Sequence, residues 1–141
     1  MPRNDQLKEW NLIYKKVYSG LRSQNFYRSI SHGDGRYRGP EGRKCAAGHL
    51  IPDEDYRPSM EGEIFMGSLW TKDRGVWEKL ISKYPILFRN RHFITSLQAI
   101  HDESESRKLM IINLRIFAKR NGLQVMKPNG SEPIPIIKPY T

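Results

Sequence analysis

The 141-residue chain predicts an α+β fold, about four helices packed around a small antiparallel β-hairpin. Three observations carry this. Apolar residues recur at helical spacing in four separate segments. His32-Gly33-Asp34-Gly35 supplies residues that tolerate positive φ, and reads as the tight turn between two short strands. From Met126 the chain reads MKPNGSEPIPIIKPYT, whose four prolines rule out a helix. Residues 1–125 therefore form one globular domain, and 126–141 a proline-rich C-terminal arm that either packs on the body or reaches a partner.

Asn4 or Asp5 is placed to cap a first helix running to about Ser23. Leu7, Trp10, Tyr14, Val17 and Leu21 alternate three and four apart and make one apolar stripe, with Lys8, Lys15, Lys16 and Arg22 largely off it. Phe26 to Ser31 reads as a strand, Arg36 to Arg38 as its return, and Gly39-Pro40-Glu41-Gly42 as a second turn. Lys44 to Leu50 reads as a brief helix with Cys45 in its first turn, ended by Ile51-Pro52 because a residue before proline avoids the helical region. Asp53 to Tyr56 forms a further helical turn started by Pro52.

Residues 62–75 give no clear period. Gly75 to Lys83 is expected as a helix with Val76, Trp77, Leu80 and Ile81, stopped by Tyr84-Pro85. Arg91 to His101 follows with Phe93, Ile94, Leu97 and Ile100 inward. Ser104 or Ser106 opens a last helix that runs through Leu109, Ile112, Ile116 and Phe117, and Gly122 sits where a left-handed cap belongs.

Lys and Arg outnumber Asp and Glu 24 to 15, a net charge of +9. Such a surface favours polyanions: nucleic acid, anionic lipid, or an acidic protein or ribonucleoprotein complex. The charge is uneven: basic residues dominate 22–44, and acids cluster at Asp53, Glu54, Asp55, Glu61 and Glu63. One cysteine forbids an internal disulfide and suits a reducing cytoplasm. No apolar run approaches the roughly 18 residues that span a bilayer. The opening MPRNDQLKEW shows no apolar signal region, so neither a membrane partner nor secretion is expected.

Three constellations bear chemistry. Cys45, after Arg43 and Lys44 and at a helix start, has features that lower a thiol pKa, and His101-Asp102 resembles a base with its orienting acid. Against that stands the ordinary fate of a free cysteine, a small buried apolar residue. His49 with Asp53, Glu54, Asp55 and His101 offers imidazole and carboxylate, but no recognised ligand spacing, so no metal or cofactor is expected. The third is a ribbon of basic residues with interleaved aromatics: Tyr27, Arg28, Arg36, Tyr37, Arg38, Arg43 and Lys44. Arginine pairs with phosphate and tyrosine stacks on bases, so these residues are the candidate nucleic-acid contact. The plainer alternative pairs them with the acids between Asp53 and Glu63.

The run YRGPEGRKCAAGHLIPDEDYRPSMEG, Tyr37 to Gly62, resembles a motif of small uncharacterised proteins from bacteria and their phages, YRGPxGxKCAxGxLIPDxxYxxxMEG. The resemblance continues in Leu97-Gln98-Ala99-Ile100-His101-Asp102 and in the closing helix Ala118 to Leu123. It implies a bacterial or phage setting in the host cytoplasm and supplies no catalytic role. The functional expectation is a non-enzymatic basic protein binding nucleic acid or a nucleic-acid-containing host complex, as a phage-encoded modulator of host defence. The alternative is a cysteine-dependent hydrolase or transferase built on Cys45, His101 and Asp102.

Overall fold

The first helix, α1, spans Asn4–Ser23 and is the spine of the molecule. The computed structural model describes residues 2–140; Met1 and Thr141, the outermost residues of the expected domain and arm, lie outside them. Ile13, Tyr14, Val17, Tyr18 and Leu21 of α1 are buried, as the three-four spacing requires. The cap differs from expectation. Arg3 holds the cap position without a side-chain bond, and Asp5 instead sits in the first turn, where its carboxylate complements the positive helix end.

The hairpin is shorter than its sequence suggests and shifted by one step. Strand β1 is Ile30–Ser31 and β2 is Asp34–Gly35, paired antiparallel. His32 (φ 53°) and Gly33 (φ 83°) form the two-residue turn, both left-handed, as a tight hairpin of the I′ type needs. The return strand expected at Arg36–Arg38 is therefore mostly past the ladder; only Arg36 extends it, its N–H donating to the Ser29 carbonyl at 2.8 Å.

Cys45 lies ahead of the 3-10 turn Ala47–Leu50, not inside a helix. That turn packs against α1 and against the later helix α4, Arg91–Glu103. Gly48 allows the packing: a Cβ there would stand 2.5 Å from the Tyr37 carbonyl oxygen. Gly42, by contrast, has open space around it and is used for its positive φ of 73°.

Helix α2 is Arg74–Lys83, capped by Asp73, whose carboxylate accepts the Val76 N–H. Pro85 stops it and at once begins α3, Pro85–Arg89. Helix α4, Arg91–Glu103, buries Phe93, Ile94, Leu97 and His101. Helix α5, Arg107–Arg120, starts at the Ser106 cap and ends at Gly122 (φ 69°), where Leu123 N–H returns to the Ala118 carbonyl. Among the described residues, five α-helices and one two-stranded antiparallel sheet make the α+β class plain, with helix in the majority.

The apolar residues that mark α5 in the sequence are mostly not the ones it buries. Met110, Leu114 and Ala118 are buried, while Leu109, Ile112 and Ile116 are 43%, 41% and 42% exposed. The helix is apolar on two sides, so periodicity could not say which one faces the core.

The arm lies on the body. Met126 and Ile137 are buried. Lys16 donates to the Pro135 carbonyl, Arg22 grips Lys127 and Glu132, and Tyr140 N–H bonds the Lys83 carbonyl. Among the described residues no helix is long and apolar enough to cross a membrane.

Candidate functional site

The basic ribbon is consumed by folding. Arg38 is its hub: its guanidinium donates to the carbonyls of Tyr37, Gly48 and Ile51, pairs with Asp53 at 2.9 Å and stacks on Tyr56. Five donors in a planar fork suit such multiple capture, which a lysine could not reproduce. Lys44 joins the same Asp53 at 3.3 Å. These two cations hold the Asp53 carboxyl below its ordinary pKa, Lys44 contributing most.

Arg36 faces Glu61 at 3.6 Å, and Arg43 pairs with Glu41 at 2.8 Å. Arg28 donates to the Asp102 carbonyl. Tyr37 is buried, its hydroxyl donating to the Glu63 carbonyl at 2.6 Å, so it offers no stacking platform. Tyr27 is more exposed, but Arg43 and Arg107 both lie over its ring, at 4.5 and 4.3 Å. The cationic ribbon is thus a network of internal pins: Arg36, Arg38 and Lys44 meet acids of the stretch that follows them in sequence, and Arg43 meets Glu41.

Glu61 is the acid at the centre of that network. Its two oxygens accept the backbone N–H groups of Tyr37 and Arg38, each at 2.9 Å, and the Tyr56 hydroxyl at 2.7 Å. A carboxylate so placed fixes the chain leaving the hairpin.

Cys45 and His101 do not form a nucleophile-base pair. The imidazole Nε2 accepts the buried Ser29 N–H at 2.9 Å, and Nδ1 is 2.8 Å from Asp102 Oδ1. Both ring nitrogens are committed, neither to the thiol. Cys45 is 1% exposed. Burial pushes its pKa up to about 12, opposite to the lowering expected of a helix-start cysteine, because the helical turn begins two residues later. The thiol is protonated at neutral pH. Cys45, Gln98 and Asp102 border a cleft of about 360 Å³ that Asp34, Glu63 and Phe65 also line.

His49 is likewise structural. Its Nε2 lies 3.0 Å from Gln24 Oε1, which also accepts the Lys44 N–H, and its ring covers Gly20. Burial, with help from Lys44 and Arg38, lowers its pKa to about 3. Among the described residues no group of three His, Cys, Asp or Glu side chains is arranged to hold a metal ion.

Free positive charge is found elsewhere. Helix α5, RKLMIINLRIFAKR, contains five cations and no acid. Arg107 bonds the Asn25 carbonyl and covers Tyr27. Lys108, Arg115, Lys119 and Arg120 are exposed and, among the described residues, none has a carboxylate partner. At 100° per residue, Lys108, Arg115 and Lys119 fall in one row along the helix, beside a second row of Leu109, Ile112 and Ile116. The acid-free composition of α5 was visible in the sequence, but its outward rotation was not.

No family model matches the chain, and no curated protein and no solved structure matches it.

Proposed function

We propose that this chain is a non-enzymatic basic binding protein whose partner is an acidic macromolecule, nucleic acid or an acidic surface of a nucleic-acid-containing complex, met by α5. The observation that carries the proposal is the contrast between two sets of cations. Arg36, Arg38, Arg43 and Lys44 have acidic partners within the fold, whereas Lys108, Arg115, Lys119 and Arg120 stand in a 14-residue helix without one acid. Unneutralised charge on a rigid element costs self-repulsion in the free protein and is recovered when an anion covers it. The buried, protonated thiol of Cys45 weighs against a cysteine nucleophile. The motif resemblance favours a bacterial or phage protein acting in the cytoplasm of the host cell, where a modulator of a host nucleic-acid complex would act by such a contact.

Titration of duplex DNA, RNA and poly-glutamate at low and raised salt tests this. Three phosphate contacts give a log–log salt slope near 3, so raising salt about sixfold weakens binding by roughly 100-fold. Charge reversal by K108E/R115E/K119E abolishes the interaction. Absence of binding to every polyanion at low salt rules the proposal out.

A further inference from the structure

Charge alone does not account for α5. Its cationic row lies beside Leu109, Ile112 and Ile116, each about two-fifths exposed and all within a narrow arc of the helix. A soluble helix that already buries Met110, Leu114 and Ala118 has no need of a second apolar row. Rows of this kind, apolar at the centre and charged at the edge, are how a helix is seated in a groove.

Resting on the α5 reading above, we infer that the occupant of this face is an acidic protein surface with an apolar groove. A phosphate backbone presents a charged ridge and nothing to cover three aliphatic side chains. A second copy of this chain would bring its own acid-free helix against Lys108, Arg115 and Lys119, like charge on like. The chain's own arm is already seated on α1 through Lys16 and Arg22. An acidic partner satisfies both rows at once: carboxylates meet the cations, and its apolar groove dries the Leu109–Ile112–Ile116 stripe.

The test uses the full chain and a helical peptide of about three heptads with Leu at a and d and Glu at e and g. Generic duplex DNA and phosphatidylserine vesicles are titrated in parallel. The wild-type protein binds the peptide more tightly than either. L109Q/I112Q/I116Q weakens peptide binding at least tenfold and leaves the weaker DNA binding unchanged; Ile116→Gln alone gives a partial loss if the triple variant melts early. Equal or tighter binding to DNA or to vesicles overturns the inference, as does peptide affinity indifferent to the apolar substitutions. If K108E/R115E/K119E loses binding while the apolar variants do not, this inference fails and the cationic contact stands. If the charge reversal changes nothing, the cationic contact itself fails.

Discussion

The imidazole of His101 accepts the backbone N–H of Ser29, 72 residues away in sequence, at 2.9 Å. This bond joins α4 to the residue that opens the hairpin, and both partners are fully buried. Asp102 fixes the other ring nitrogen, and Gln98 ties Asp102 to the Cys45 turn through Ala47. A pattern that resembles catalytic machinery in sequence is therefore a brace between three segments.

Replacing His101 by Ala orphans the Ser29 N–H and leaves a hole. The expected cost is about 3 kcal/mol, read as a drop in the urea midpoint at unchanged slope. A loss under 1 kcal/mol would show that the brace is dispensable.

Glu61→Gln keeps shape but removes the charge that two backbone N–H groups, the Tyr56 hydroxyl and Arg36 all face. Stability should fall by about 2 kcal/mol. A neutral outcome in thermal melts would mean that the carboxylate acts only as a spacer.

Stability should also depend on His49. Its native pKa of about 3 lies below the ordinary 6.5, so the unfolded chain takes up a proton that the native state refuses. The contribution is complete above pH 6.5 and is lost as pH falls toward 3, up to roughly 4 kcal/mol in all. His49→Asn should flatten the urea midpoint between pH 7 and 4 relative to wild type; parallel profiles would contradict the assignment.

The thiol of Cys45 should resist a disulfide reagent at pH 8 in the native protein and react at once in denaturant, since burial keeps it protonated. Rapid native labelling would reopen the nucleophile question.

Local signals carried most of the helix map. Ser106 caps, Pro85 stops, Gly122 closes, and α1 is buried along its three-four spacing; the Asp73 cap lies in the stretch whose sequence shows no clear period. Two things were out of reach for one physical reason: both depend on what lies across space. α5 offers two apolar rows, and only its neighbours decide which is covered. Arg36 and Arg38 read as part of a free cationic patch until Glu61 and Asp53 fold back onto them. Acids some 15 to 25 residues downstream in a turn-rich segment were visible, but their pairing was one of two open outcomes.

Parallel measurement of folding stability and of polyanion affinity for Arg38→Gln and Arg115→Gln is the most direct test. Arg38→Gln should lose about 2–3 kcal/mol of stability, because carbonyls of Gly48 and Ile51 and the Asp53 carboxylate lose their donor, while the folded protein keeps its affinity. Arg115→Gln should keep its stability and lose several-fold in affinity. The reverse pattern, a stable Arg38 variant that no longer binds beside an Arg115 variant that binds as before, would contradict the division between pinned ribbon and free helix.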